Sequence, residues 1–258
     1  MAAMLPLLSS ANAPLSTLAL DQLRLAGDEA ALTFAPTDSE VLLYLLTGAV
    51  VVSWPGQEQP LCGRRSVRER GVSAVRFPAG FPHPVTVALA GTSADLLGVS
   101  LATSAATAGL APYVHQHDMI WHEVGEDTHR RTVGDLPCPE GYRIHGGETH
   151  NIPGGWSSWP AHATPDEAAT RYTDHQEVFY VITPGYGVMC QTGYTHVGEQ
   201  RQGQLTYCGN GSAHAVPLGA HEIVFSPGCW GWYAWFYDSF LQKTYNRWAH
   251  EGVRTYVR

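Results

Sequence analysis

Residues 40–54 read EVLLYLLTGAVVVSW, an apolar run that contains several β-branched and aromatic residues, which favour strands. The polar segment PGQEQPLCG (55–63) follows it, and shorter apolar runs such as ALTFAP (31–36) and ADLLGVSLA (94–102) repeat the pattern. Few segments have the 3.6-residue period of a helix, apart from a short helix expected at 21–26. Apolar runs separated by turns at this spacing predict an all-β sandwich or barrel.

The chain has 258 residues, of which 44% are hydrophobic and 15% charged, and this balance indicates a compact globular protein. A chain of this length could form one large all-β domain or two of about 130 residues, and we favour two. Small and polar residues at 103–112 mark the junction. The prediction is a first domain at 1–105, a linker at 106–125 and a second domain at 126–258.

Charge and cysteine content exclude several classes of protein. There are 23 acidic and 15 basic residues, and no basic cluster exceeds RRSVRER at 64–70, so nucleic acid is not expected as a partner. Five widely spaced cysteines without a CxxC pair predict neither a disulfide framework nor a zinc ribbon, which fits a reducing compartment. No stretch approaches the roughly 18 consecutive apolar residues of a membrane span. We therefore expect a soluble, cytoplasmic protein with no membrane partner.

Residues 78–83, PAGFPH, fit the pattern P-x-G-x-x-H, which resembles the second motif of the cupin superfamily. Glu40 and Gly48 loosely resemble the glutamate and the glycine of the first motif. His83 is the first histidine of the chain, so no upstream histidine can complete a metal site. This half is predicted to be a cupin barrel without a complete metal site, in which His83 is a structural residue.

The second half repeats the pattern with more metal-binding side chains. Residues 209–214, GNGSAH, keep the G-x-x-H ending and would place His214 at a strand edge. Upstream, His162 follows a turn-rich segment, and Glu177 opens the strand-like run VFYVI (178–182). Two imidazoles and a carboxylate suit a borderline divalent metal. Two copies of one β-barrel pattern predict a bicupin.

The remaining histidines have weaker support. His115 and His117 form an H-x-H pair, but no glutamate followed by a strand lies at a suitable spacing, so surface or interface positions are expected. Five isolated histidines are expected to be structural or exposed: His145, His150, His196, His221 and His250. The aromatic residues of CWGWYAWF (229–236) are expected along a strand as core or interface residues, and some could stack on a sugar ring.

The second half resembles the 5-deoxy-glucuronate isomerases of inositol catabolism, which belong with the 4-deoxy-5-hexosulose-uronate ketol-isomerases. The resemblance is carried by GETHNIPGGWSSWPAH (147–162), HRRTVGDL (129–136) and HQEVFYVI (175–182). The first of these strings is long enough that chance agreement is not a reasonable explanation. The first half of the chain resembles the family only in its pattern.

The resemblance implies a fold, a site and an activity. It implies a bicupin whose C-terminal barrel binds a divalent metal ion through His162, Glu177 and His214, with Gln191 matching a family glutamine as a substrate-binding residue. The implied activity is a metal-dependent aldose–ketose isomerase acting on a deoxyuronate or related sugar-derived carbonyl compound through an enediolate. These ligands do not decide between Zn, Mn, Fe and Ni.

The chain departs from the family at two positions. The family's second histidine, two residues after His162, is Thr164 here, and the basic residue expected beside the glutamine is Thr192. We hypothesise that His175 restores the lost ligand. Residues two apart on a strand face the same side, so His175 would share the face of Glu177 if the strand already begins there.

Several points stay open at this level. Arg143 or Arg171 could bind a uronate carboxylate in place of the missing basic residue. The general base is not assigned, and the chemically able residues are Asp174, His175, Tyr180, Tyr194 and Tyr207. The alternative functions are a cupin lyase or metal-dependent dioxygenase, or a non-catalytic sugar-binding cupin. A small-molecule substrate is the expected partner, and a homo-oligomer is left open.

Overall fold

The computed structural model describes residues 1–13, 15, 17–28, 30–103, 109–163, 177–185, 187–197, 200–216, 220–238 and 248–249. At 159–163, 191–197, 200–204, 220 and 248–249 the description covers the backbone. These residues form nineteen β-strands, and the one helical element among them is the 3-10 helix Asp127–His129. Within the same ranges, no helix has the length and apolar character needed to cross a membrane.

The first eight strands form one sheet in the order β1-β2-β7-β4-β6-β8, with β3 paired to β7 and β5 paired to β4. Their bounds are Ala2–Leu8 (β1), Leu18–Ala26 (β2), Ala31–Phe34 (β3), Ser39–Trp54 (β4), Gln57–Cys62 (β5), Ser73–Phe77 (β6), Val85–Ala102 (β7) and Tyr113–Gln116 (β8).

The remaining strands form two sheets. The six-stranded sheet has the order β16-β13-β18-β11-β10-β9, and the five-stranded sheet has the order β15-β14-β17-β12-β19. Their bounds are Ile120–Val124 (β9), Arg131–Leu136 (β10), Ile144–Asn151 (β11), Trp156–Ala163 (β12), Glu177–Ile182 (β13), Met189–Val197 (β14), Gln200–Cys208 (β15), Ser212–Ala215 (β16), Ala220–Phe225 (β17), Gly231–Asp238 (β18) and Trp248–Ala249 (β19).

The apolar run at 40–54 lies in one long strand, β4, which pairs with β7 along most of its length. Two register shifts interrupt this pairing, the second of them between Gly48 and Val50. Gly48 has a φ of +86°, and a Cβ at this position would lie 2.2 Å from the Ser93 carbonyl oxygen. The irregularity in β4 therefore requires glycine, because any side chain would collide with the backbone of β7.

The helix expected at 21–26 is wrong, because these residues belong to β2. This strand pairs with β1 on one side and with β7 on the other. Leu18 and Leu20 are buried, as are Leu23 and Leu25, so each pair follows the period of two that a strand requires. Hydrogen bonding to two partner strands and burial of the leucines decide the conformation over local preference.

The chain folds into two compact units, and each is built from two segments. The first unit comprises Met1–Ile120 and Leu136–His145, and the second unit comprises Trp121–Asp135 and Gly146–Arg258. Strands β8 and β9 lie inside the expected linker at 106–125. The division at 105 and 125 stays a prediction, because compactness does not test whether each part folds alone.

Each unit has its own hydrophobic core. In the first unit, side chains from β4, β6 and β7 pack together, among them Leu43, Phe77 and Leu96. In the second unit, Phe179 of the six-stranded sheet packs in one cluster with Phe225 of the five-stranded sheet. The interior of the second unit therefore lies between its two sheets.

Candidate functional site

Strand β13 begins at Glu177, and its neighbours are β16 and β18. His214 of β16 lies opposite Phe179, and the Val216 amide donates a hydrogen bond to the Glu177 carbonyl oxygen at 2.8 Å. Directly opposite residues share a face of the sheet, as do residues two apart on one strand. Glu177, Phe179 and His214 therefore share one face, which is the interior face because Phe179 belongs to the core.

In the five-stranded sheet, the predicted positions 162 and 191 lie on strands β12 and β14, one on each side of β17. His221 of β17 lies opposite His162 of β12 on one side and opposite Gly193 of β14 on the other. Ile223, two residues further along β17, lies opposite Gln191. The backbone register thus places positions 162 and 191 on the two strands that flank β17.

His221 is a candidate that the sequence analysis missed. Its side chain is 1% exposed, and its ring centroid lies 5.8 Å from that of Phe179 in the other sheet. The expectation for this residue was a structural or exposed histidine without a part in the site. A usable signal was present, because His221, Ile223 and Phe225 alternate along one strand and the latter two are buried core residues.

The described donors suit a divalent metal ion in their chemistry. Glu177 is a buried carboxylate, and burial lowers the pKa of His214 below its ordinary value, so this imidazole is neutral at neutral pH, as metal ligation requires. The Nε2 atom of His214 lies 3.1 Å from the Ser212 hydroxyl. The described residues hold no group of three metal-ligating side chains.

Several predicted site residues lie beyond this description. Thr164, Arg171, Asp174 and His175 are outside the described residues, and for His162, Gln191, Thr192 and Tyr194 the description covers the backbone alone. The metal ligand set His162, His175, Glu177 and His214 and the substrate contact by Gln191 therefore stay predictions.

Two of the tyrosines considered as general bases lie away from Glu177. Tyr180 is an odd number of residues from Glu177 on β13 and so lies on the opposite face. Tyr207 is 67% exposed. Tyr233 of β18 is a buried tyrosine on the same face as Glu177, and its hydroxyl lies 2.6 Å from the Ser157 hydroxyl of β12. This contact joins the two sheets, and burial raises the pKa of Tyr233 above its ordinary value.

In the first unit, the carboxylate of Glu40 is occupied by groups of the protein itself. Its oxygens accept hydrogen bonds from the backbone amides of Arg143 and Ile144 at 2.7 and 2.9 Å, and one lies 3.6 Å from Nη1 of Arg76. The PAGFPH histidine, His83, is exposed, and its ring lies edge-on to Phe81 with centroids 5.4 Å apart. Glu40 is thus held by groups of the protein in this unit, and the structural role expected for His83 stays a prediction.

His115 was expected at a surface or an interface, and the surface position is wrong. This side chain has no exposed surface, because β8 pairs with β6 and places His115 opposite Ala74, beside Arg76. His117, two residues later, is exposed. Arg143, one of the two arginines considered for a substrate carboxylate, lies in the first unit and donates a hydrogen bond to the Thr103 hydroxyl at 2.8 Å.

The chain is similar in architecture to many solved structures, three of which follow. An IolB-like protein from Salmonella typhimurium LT2 has a TM-score of 0.81 at 21% identity, with 95% of this chain and 92% of that chain covered. An oxalate decarboxylase from Lactobacillus farciminis has a TM-score of 0.61 at 11% identity, with 95% and 82% covered. A putative glyoxylate-induced protein from Pseudomonas aeruginosa has a TM-score of 0.58 at 12% identity, with 91% and 79% covered. The protein is a bicupin, and the predicted all-β class is confirmed.

The chain belongs to the KduI/IolB family, whose model matches residues 6–251. This family is associated with sugar isomerases of uronate and inositol metabolism, so the resemblance found in the second half is confirmed. The match also includes the first half, where the sequence resembles the family only in pattern. A search of curated proteins found no match.

Proposed function

We propose that this protein is a metal-dependent aldose–ketose isomerase that acts on a deoxyuronate or a related sugar-derived carbonyl compound. Membership of the KduI/IolB family supports the reaction class. The observation that carries the proposal is the placement of Glu177 and His214 on one interior face of the second unit. Burying a carboxylate is costly unless partners or a cation compensate its charge, and titratable groups gathered on an interior face are candidates for a functional site.

In this proposal, His162, Glu177 and His214 hold a divalent metal ion, with His175 as a fourth ligand. When bound, such an ion would hold adjacent carbonyl and hydroxyl oxygens of the substrate and stabilise the negative charge of an enediolate. The ion is Zn, Mn, Fe or Ni, since ligands of this kind suit each of them.

The protein's own residues supply orientation and a dry environment. The backbone hydrogen bond from Val216 fixes the start of β13 and so the position of Glu177. Phe179 and Phe225 close the interior with apolar surface, which strengthens electrostatic interactions with a bound substrate. Gln191 is proposed to contact the substrate from β14. A cytoplasmic location and a possible homo-oligomer remain part of the proposal.

The proposal is tested by metal analysis of the purified protein together with a substrate panel of uronates, deoxyuronates and neutral sugars. We expect about one divalent ion per chain and isomerisation that proceeds equally well without oxygen. Glu177→Gln should lower both metal content and turnover, while the exposed Tyr207→Phe control should leave them unchanged. Oxygen-dependent turnover would favour a dioxygenase, and a chain that holds no metal would favour a non-catalytic sugar-binding cupin.

A further inference from the structure

Two aromatic side chains of β18 lie beside the proposed site. Tyr237 is opposite Glu177, and Trp235 is opposite Phe179, so both share the interior face with the buried carboxylate. Their rings are stacked, with centroids 5.7 Å apart and an interplanar angle of 11°. Both side chains are half-buried, whereas Phe236 between them faces the other way and has no exposed surface.

A glycine in the neighbouring strand makes room for this arrangement. A Cβ at Gly147 of β11 would lie 2.4 Å from Cζ2 of the Trp235 ring. The indole therefore packs directly against the backbone of β11, which no residue with a side chain would allow. Gly147 is the first residue of the string GETHNIPGGWSSWPAH, so this string also determines where Trp235 lies.

The distances across the sheet fit a small substrate. Adjacent strands lie about 4.8 Å apart, so Tyr237 is one strand spacing from Glu177, and Trp235 is two spacings from His214. Phe179 lies between His214 and Trp235, so a molecule held at Glu177 that extends toward β18 would have its carbon skeleton beside the stacked rings. Aromatic faces in ligand sites pack well against apolar C–H surfaces and poorly against hydroxyl groups.

We propose that Trp235 and Tyr237 form the wall against which the C–H face of a sugar-derived substrate packs, and that they select for substrates in which a hydroxyl is replaced by hydrogen. This inference rests on the proposed function for the location of the substrate. An extra hydroxyl directed at the rings would lose its hydrogen bonds to water without gaining others. Trp235 and Tyr237 are therefore specificity-determining residues for deoxy sugars over their hydroxylated parents.

The experiment is calorimetric titration of the metal-containing protein with 5-deoxy-glucuronate and with glucuronate. The variants are Trp235→Leu and Tyr237→Leu, and Tyr207→Leu is the matched control because Tyr207 is exposed. Both site variants should bind 5-deoxy-glucuronate about tenfold more weakly, with less preference over glucuronate, and should keep their metal content and unfolding temperature. The control should behave as the wild type.

The outcomes separate this inference from the proposed function. If a folded, metal-containing Trp235→Leu protein binds 5-deoxy-glucuronate as the wild type does and keeps its preference over glucuronate, the proposed role of the two aromatic residues is wrong. The isomerase proposal would be unaffected by that result. Binding that depends on Trp235 without any isomerisation would support the wall and overturn the isomerase proposal. A wild-type protein that binds neither uronate would overturn the wall as stated.

Discussion

Nε of Arg76 donates a hydrogen bond of 2.9 Å to Nε2 of His115, and neither side chain has exposed surface. Accepting this bond requires an unprotonated Nε2, so the proton of the neutral ring is on Nδ1, which lies 3.4 Å from Asp118 Oδ2. Burial, and secondly the charge of Arg76, lower the pKa of His115 from 6.5 to about 4. Arg76 also faces Glu40, so the first unit contains a chain of four polar side chains in which Glu40, Arg76 and His115 are buried and Asp118 is exposed.

The first prediction concerns acid stability. The pKa of His115 is lower in the folded chain than in the unfolded chain, so the unfolded chain binds more protons between pH 6.5 and about 4. As the pH falls through this range, the free energy of unfolding should therefore decrease by on the order of 2–3 kcal/mol because of this residue. Burial raises the pKa of Glu40, which acts in the opposite direction. Denaturant titrations of wild type and His115→Gln at several pH values isolate the histidine.

In this comparison the His115→Gln protein should show a shallower loss of stability on acidification. His83→Gln is the control, since that histidine is exposed. Equal acid slopes for wild type and His115→Gln would contradict the assignment of a neutral buried ring.

The second prediction concerns the buried ion pair. Arg76→Met would leave the Glu40 carboxylate buried without its countercharge, and we expect a loss of about 3–5 kcal/mol in the free energy of unfolding. Adding Glu40→Gln should recover part of this loss, because the unpaired charge is removed. Arg24→Met is the matched control, since its ion pair with Asp95 is largely exposed and should contribute less than about 1 kcal/mol. Similar losses for Arg76→Met and Arg24→Met would argue against the buried pair.

The third prediction compares two glycines with positive φ angles. Gly48→Ala places a Cβ 2.2 Å from a backbone oxygen, and we expect it to cost more than about 2 kcal/mol. Gly56 has a φ of +76° with nothing within 4 Å of a Cβ, so Gly56→Ala should cost about 1 kcal/mol from the backbone conformation alone. Denaturant unfolding of both variants measures the difference, and equal costs would show that β7 moves aside.

The fourth prediction concerns the ligand missing at Thr164. If His175 replaces it, His175→Ala should lose metal faster than wild type during dialysis against a chelator, and Thr164→His in that background should restore retention. His221→Phe is included, because His221 lies opposite position 162 and could be the replacement instead. Wild-type retention by His175→Ala, with loss in His221→Phe, would move the assignment to His221.

Local sequence signals predicted where strands occur better than they predicted which strands pair with one another. The run VFYVI identified β13, and the G-x-x-H pattern ends within β16, the strand that contains His214. The burial of His115 was not predictable, because it depends on Arg76, which is 39 residues away in the sequence. For His221, the alternation with Ile223 and Phe225 was a local signal of burial, but its place opposite position 162 follows from pairing with β12, a strand that is distant along the chain.

Leu136–His145 belongs to the first unit although Trp121–Asp135, which precedes it, belongs to the second, so the chain passes between the units more than once. A fragment ending at 105 would lack the amides of Arg143 and Ile144 that bind Glu40, and the Ile144 carbonyl oxygen that binds Arg76. Glu40 and Arg76 would then keep each other but lose these hydrogen-bond partners. A single cut in the polypeptide cannot release either unit with both of its segments, so we expect a fragment that ends at 105 to be less stable than the same strands in the intact chain.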